Sequence, residues 1–384
     1  MRDDNDQQST QDRRFMRHAL ALGWRQQGLT SPNPAVGAMI VRHTVAGHMI
    51  VGRGATQAGG RPHGEPIAIT MAGEAARGAT LYVTLEPCSH HGRAGPCADA
   101  IIAAGIGRVV SSIEDPDPRV AGQGHARLRA AGITVDVGTL STEALRAHRG
   151  HILRVTKNRP ALTLKLARTQ DGFVSGVAGE RLLITGEAAN NQVHLMRMHA
   201  DAIAVGLGTV LADDPLLTVR LPGLSTRSPI RVVFDSQLRL PLTANLIATA
   251  TEIPTWIITT HAAPADRETT LMRAGVEIIR VAACEDGRVS LHEALQALAQ
   301  RGIARVFAEG GPKLAEALAA TDLIDDLVIL TGATSLHTGD NANAIGIRAV
   351  GPVLNNALAN PEMFRTVESG HWSADKFEIF ERVF

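Results

Sequence analysis

Apolar runs of strand length alternate with longer amphipathic stretches along most of this chain. Val36 to Val41, Leu81 to Leu85 and Arg108 to Ile113 read as strands, and Glu65 to Ala76 and Cys97 to Ala104 read as helices between them. This alternation predicts an α/β layer sandwich, because each helix buries one stripe against a sheet face. The pattern runs through Ile133 to Val137 and then breaks. Ala147 to Pro160, AHRGHILRVTKNRP, is basic and ends in proline. A domain junction is expected there, to within about ten residues. A second alternation follows. Strands are expected at Ala161 to Ala167, Ala202 to Val205, Ile230 to Asp235, Thr255 to Thr259, Val276 to Val281, Arg305 to Glu309 and Leu327 to Leu330. Helices are expected at Glu187 to His199, Ser290 to Gln300 and Pro312 to Ala320. This reads as one larger α/β domain, with no fixed-period repeat and no long low-complexity tract.

Composition narrows the function. The 384 residues suggest two or three domains, and 45% hydrophobic with 20% charged residues exclude wholesale disorder. Lys and Arg balance Asp and Glu at 38 each, so no global basic field is present to hold a nucleic-acid backbone. Aromatics at 3% argue against a base-stacking platform. No apolar run reaches the length of a membrane span. The first dozen residues are polar and are expected to fray, and the N-terminus lacks the apolar centre of a secretory signal. A reducing cytoplasm is therefore the expected compartment. Three cysteines make no disulfide framework, so their thiols are free for a metal.

The candidate metal chemistry lies between His63 and Cys97. His63-Gly64-Glu65 opens an expected helix, Pro87-Cys88 follows an apolar run, and Cys97 follows Pro96 at another helix start. One imidazole and two thiolates suit zinc with a fourth position open to water. Helix N-termini carry partial positive charge and favour the thiolate. Glu65 is free to carry protons to and from water at the open position. The H-x-E and P-C elements match the zinc nucleobase-deaminase pattern, except that eight residues separate the cysteines instead of two. That insertion, SHHGRAGP, brings His90 and His91 as rival ligands. Taken singly, Cys88 and Cys97 read as apolar fillers and His63 as a surface histidine; their combination favours a zinc deaminase. In the second half, Gly206-Leu-Gly208 is a partial dinucleotide fingerprint lacking its third glycine, and an ordinary turn is the better reading. Glu309-Gly310-Gly311-Pro312 follows a strand and opens a helix, so its backbone N–H groups suit a phosphate, although a plain tight turn has the same pattern.

Pro32-Asn33-Pro34-Ala35-Val36-Gly37, His63-Gly64-Glu65 and Thr84-Leu85-Glu86-Pro87-Cys88-Ser89-His90-His91-Gly92-Arg93 with Pro96-Cys97 resemble the bifunctional deaminase–reductase family of riboflavin biosynthesis. In that family the eight-residue spacing is usual. Asp115-Pro-Asp-Pro118 resembles a further family stretch. The likeness extends into the second half through Leu164-Lys165, Asp171-Gly172, Thr209 to Arg220 and Arg231 to Ser236. It implies a cytidine-deaminase-like three-layer domain over residues 11–147 and a dihydrofolate-reductase-like domain over 160–384. The implied zinc ligands are His63, Cys88 and Cys97, with Glu65 as catalytic proton carrier, Asn33 as a pyrimidine contact, and His90 and His91 at the substrate mouth. The implied NADPH contacts are Ala167, Leu183, Thr209, Asp213, Ser236 and the turn Gly311, Pro312, Lys313, Leu314, Ala315, Glu316 and Ala317. The implied substrate contacts are Arg181, Arg197, Leu217, Arg220 and Glu309. The resemblance further implies a phosphoribosylated pyrimidine substrate, 2,5-diamino-6-(5-phosphoribosylamino)pyrimidin-4-one, deaminated and then reduced from ribosyl to ribityl. A homodimer without nucleic-acid or membrane partners is expected.

The chain departs from the family at several places. Gly64 stands for the usual alanine. Thr169-Gln170-Asp171-Gly172 replaces a Ser-Leu-Asp-Gly pattern. Arg181 replaces a small serine, and Leu183 replaces an aromatic residue. Near the end, Gly332-Ala-Thr-Ser335 and an Asn- and Gly-rich stretch replace a Pro-Lys-Leu-Leu-Gly segment. These departures motivate an alternative: an active deaminase with a reductase-inactive C-terminal domain. A nucleic-acid-editing deaminase and a purely structural zinc protein are the other readings.

Overall fold

The computed structural model describes residues 2–90, 95–175, 182–336 and 346–383. The chain divides into two compact units, Met1–Asn158 and Arg159–Phe384.

The first unit is built on five strands: β1 (Gly37–Thr44), β2 (Gly47–Ala55), β3 (Thr80–Val83), β4 (Arg108–Ser111) and β5 (Thr134–Val137). Their order is β2-β1-β3-β4-β5, with β3, β4 and β5 parallel and β1 antiparallel to its neighbours. Side-chain alternation splits the buried residues between two faces. Ala38, Ile40, Leu81, Val83 and Val109 pack with Ala68 of helix α2 (Gly64–Ala72), Ile101 of α3 (Cys97–Ala103) and Leu128 of α4 (Gln123–Ala130). Met39, Val41, Tyr82 and Val110 pack on the opposite face with Phe15, Met16 and Ala19 of α1 (Arg2–Trp24).

Two expectations change here. The polar N-terminal stretch expected to fray is the front of α1. It is held because buried Asp12 accepts the Tyr82 hydroxyl at 2.8 Å and two Arg108 N–H groups at 2.9 and 2.8 Å. The helix expected over Glu65 to Ala76 ends at Ala72, where Gly73 takes a φ of 52° and a short 3-10 turn follows. The basic stretch Ala147 to Pro160 mostly belongs to a helix, α5 (Ser141–Lys157), which ends at Asn158 in the left-handed conformation.

The second unit carries β6 (Ala161–Arg168), β7 (Phe173–Ser175), α6 (Glu187–Met198), β8 (Ala202–Gly206), α7 (Leu207–Asp213), β9 (Ile230–Phe234), α8 (Asn245–Ala248), β10 (Thr255–Thr260), α9 (Ala265–Arg273), β11 (Glu277–Val281) and α10 (Leu291–Gln300). It continues with β12 (Arg305–Ala308), α11 (Pro312–Ala320), β13 (Asp326–Thr331), β14 (Ile347–Arg348), α12 (Pro352–Ala359), β15 (Phe364–Trp372) and β16 (Asp375–Arg382). Nine strands form one sheet in the order β11-β10-β9-β8-β12-β6-β13-β16-β15, parallel up to β13 and antiparallel beyond it. Leu162, Leu164, Ala202, Ala204, Val306 and Ala308 face one core, whereas Ile203, Val205 and Phe307 face the other. Among the described residues no helix is long and apolar enough to cross a membrane.

Candidate active site

Three turns carry the donor cluster of the first unit. His63 is the N-cap residue of α2, Cys88 lies beyond the end of β3, and Cys97 opens α3 after Pro96. Their ligand atoms all lie within 4.8 Å of one another, and no other such group occurs among the described residues. His63 Nδ1 is 3.2 Å from Cys97 Sγ and 3.8 Å from Cys88 Sγ. A tetrahedral zinc with ordinary bond lengths needs donor separations of about 3.4–3.8 Å, so the set fits that ion. The Cys97 N–H donates to Cys88 Sγ at 3.3 Å, an interaction that favours thiolate. A hydrogen bond from Cys97, reinforced by His63, holds the Cys88 thiol down to about 4, while the same sharing and burial push Cys97 up. Metal binding therefore releases protons.

Glu65 is 2% exposed and sits in the first turn of α2. Its Oε2 is buried without a hydrogen-bond partner, an expensive state unless the group serves chemistry. Burial raises its carboxyl above the ordinary value, with His63 opposing. Gly64 between the two has a structural reason: a Cβ there would lie 2.9 Å from the Val36 carbonyl oxygen. The rival ligand His90 is exposed and outside the cluster, while His91 lies outside the described residues. Asn33 donates its side-chain amide to the Gly60 carbonyl at 2.8 Å, three residues before His63.

Glu86 was not singled out by sequence reasoning. Its buried carboxylate accepts the backbone N–H groups of Asp115, Gly122, Gly124 and His125 at 3.0, 2.9, 2.7 and 3.1 Å. It therefore ties the Asp115 to Pro118 segment and the start of α4 to the backbone two residues before Cys88. Four backbone donors leave no sequence signature, and the glycines at 122 and 124 were the only available hint.

In the second unit, the expected contacts gather at the carboxyl ends of four neighbouring parallel strands, β9, β8, β12 and β6, where open α/β sheets bind ligands. Ser236 follows β9, Thr209 and Asp213 lie on α7 after β8, Glu309 and Gly311 follow β12, and Ala167 is near the end of β6. The Gly311 N–H donates to Thr209 Oγ1 at 3.3 Å, joining two of these loops. Arg197 grips Glu309 with two hydrogen bonds, Nε to Oε1 at 2.5 Å and Nη2 to Oε2 at 2.9 Å. Lys165 Nζ is 3.9 Å from the same carboxylate. Burial pushes the Lys165 amine down. Burial alone would raise Glu309, but the Arg197 charge and hydrogen bonds, with Lys165, outweigh it and hold the carboxyl below its ordinary value.

Other residues are placed differently. Arg220 extends from a strap containing Leu217, which is buried with a φ of 53°. Leu183 is 86% exposed, and Arg181 lies outside the described residues. In the expected cofactor turn, Pro312, Lys313 and Leu314 form the first turn of α11. Ala315 packs into the core, and Ala317 lies against it. Glu316 accepts the Val353 and Leu354 N–H groups, each at 3.0 Å, and so caps α12.

The zinc-binding region of cytidine and deoxycytidylate deaminases matches residues 9–113, and the RibD C-terminal domain matches residues 160–342. Fold and site thus define a zinc-dependent deaminase joined to an NADPH-dependent reductase. The riboflavin biosynthesis protein RibD of Aquifex aeolicus is 37% identical over 88% of this chain and 92% of its own length. That of Escherichia coli K12 is 40% identical over 83% of this chain and 87% of its own. Acinetobacter baumannii RibD superposes with a TM-score of 0.83 at 31% identity, covering 98% of this chain and 100% of that one. The chain belongs to the RibD family of riboflavin biosynthesis proteins.

Proposed function

We propose that this chain carries out two successive reactions on one phosphoribosylated pyrimidine: hydrolytic removal of the 2-amino group in the first unit, then reduction of the ribosyl group to ribityl in the second. The similar Thermotoga maritima structure, at a TM-score of 0.81 and 30% identity, bears the name diaminohydroxyphosphoribosylaminopyrimidine deaminase/5-amino-6-(5-phosphoribosylamino)uracil reductase. The observation that carries the reading is the convergence of His63, Cys88 and Cys97 beside Glu65, whose Oε2 is buried without a hydrogen-bond partner.

His63, Cys88 and Cys97 hold zinc. Zinc held there would supply Lewis acidity that brings the pKa of water toward neutrality. Glu65 accepts a proton from the attacking water and delivers it to the ring nitrogen. It then takes the remaining proton from the hydroxyl newly bonded to the ring carbon and passes it to the amine, so that the carbonyl forms as ammonia leaves. Asn33 lies in the turn before β1, donates its side-chain amide to the Gly60 carbonyl, and orients the pyrimidine. The proton moves along one carboxylate because its Oε2 makes no competing hydrogen bond.

In the second unit bound NADPH would supply the hydride that, with a proton from water, reduces C1′ of the ribosyl group. Ala167, Thr209, Asp213, Ser236 and the N-terminal turn of α11 hold the cofactor along the strand ends. Glu309 binds sugar hydroxyls, held in place by Arg197, and Arg220 supplies a fork for the phosphate. The intact buried group of Lys165, Arg197 and Glu309 supports an active reductase over the inactive alternative. We infer a homodimer in the cytoplasm. A coupled assay on the intact substrate, with ammonia and oxidised cofactor scored separately, tests the scheme. A zinc chelator should abolish ammonia release while NADPH oxidation continues on substrate that is already deaminated. Ammonia release that survives the chelator would contradict it.

A further inference from the structure

The strap from Asp214 to Arg220 leads out of α7 without regular secondary structure and is tied down along its length. Asp214 Oδ1 accepts the Asn245 N–H at 2.8 Å. Arg231, fully buried, donates to the Leu216 carbonyl at 3.4 Å. Arg197 Nη1 donates to the Thr218 carbonyl at 2.9 Å, and the Val219 N–H donates to Ser228 Oγ at 3.0 Å. At the far end, the Arg220 N–H donates to Nδ1 of His194 at 3.4 Å.

His194 sits on α6 one turn before Arg197, so the two side chains share a helix face. Arg197 Nη1 is 3.5 Å from the same Nδ1. A ring nitrogen that receives N–H groups carries no proton itself. Burial and the charges of Arg197 and Arg220 push the His194 pKa down, outweighing Glu309 and a hydrogen bond to the Thr218 backbone. The two arginines differ in their partners. Glu309 neutralises Arg197. The Arg220 guanidinium reaches Thr218 Oγ1 at 3.3 Å, and no carboxylate pairs with it among the described residues. An unneutralised guanidinium beside a neutralised one is suited to an incoming dianion.

We propose that His194 is a positioning residue of the reductase: its Nδ1 fixes the Arg220 backbone against Arg197, which holds the Arg220 guanidinium ready for the phosphate of the sugar-phosphate substrate. This rests on the reading of the second unit as a reductase whose Arg220 meets substrate. An uncharged acceptor does this work without adding a carboxylate that would compete with the phosphate.

The test uses the full chain with NADPH and deaminated substrate, comparing wild type with His194→Leu, His194→Asn and Arg220→Met. Ribose 5-phosphate serves as a competitive inhibitor that reports on the sugar-phosphate contacts without the pyrimidine. His194→Leu should raise KM for substrate about tenfold and weaken ribose 5-phosphate in parallel. Its kcat and its KM for NADPH should stay within about twofold of wild type. His194→Asn, whose amide oxygen can accept the Arg220 N–H, should recover most of the loss. An unchanged KM, or an equal defect in both His194 variants, would overturn the proposal. A rise in KM for NADPH in place of substrate would overturn it too, by assigning the anion contact to the cofactor. Arg220→Met separates the two levels: if it leaves KM for substrate unchanged, the reading of the reductase site itself fails, whatever His194 does.

Discussion

The donor cluster of the first unit and the charged cluster of the second are assembled by different routes. His63, Glu65, Cys88 and Cys97 come from one short stretch of chain, and three of them sit at helix starts. Lys165, Arg197, Arg220 and Glu309 are spread over much of the second unit and meet only because β6, β12, α6 and the strap converge in the middle of the sheet. The first cluster leaves a carboxylate oxygen without a partner; the second satisfies its carboxylate twice over. An unpaired buried group points to a ligand or a proton that the protein does not itself supply. A paired one serves first to hold geometry.

The sharpest way to separate the two is Glu65→Gln. Deamination should fall by about 10³-fold or more. NADPH oxidation on deaminated substrate and zinc content should not change. Joint loss of zinc would make Glu65 a ligand and erase the contrast. Next in size is Arg197→Met, which strands the buried Glu309 carboxylate. It should destabilise the second unit by roughly 3 kcal/mol and reduce its turnover. The ammonia assay should be unaffected, and unfolding followed by calorimetry would show whether the first unit keeps its midpoint. Glu86→Gln puts an amide NH2 in place of one carboxylate oxygen, facing two of the four backbone donors. A loss of roughly 2 kcal/mol confined to the first unit is expected, measurable in urea.

A smaller effect concerns acid. The folded-state pKa of Glu309 lies below its ordinary value of 4.5, so its ionised form favours the folded chain. That contribution is complete above about pH 4.5 and disappears as pH falls through the lower folded value. Glu309→Gln should therefore flatten the acid limb of the second unit's stability curve; an identical slope would show that the pair stores no such free energy. Smallest of all is Cys284→Ser. This exposed cysteine is far in sequence from the donor cluster and absent from it, so zinc content and both rates should stay as they are.

The same contrast explains what was legible from sequence. Donor chemistry at short spacing names the metal residues almost directly, since helix starts and strand ends fix where they point. Fully buried strands such as Leu81 to Val83 announce themselves as apolar runs. Strands with one exposed face do not: β2 and β15 are mostly exposed along their length and carry no clean alternation. Helix α1 escaped notice because its contacts come from a few positions, Asp12, Phe15, Met16 and Ala19, set among charged neighbours. The roles of Glu86 and Glu316 were hidden for another reason. Both carboxylates are satisfied by backbone N–H groups, which any residue can offer.

X-ray absorption at the zinc edge of the purified full-length protein tests the central claim most directly. The account predicts one zinc per chain, with two sulfurs at about 2.3 Å and two lighter donors at about 2.0–2.1 Å, one of them imidazole and one exchangeable. A third sulfur, a second imidazole, or zinc retained in full after Cys97→Ala would contradict it.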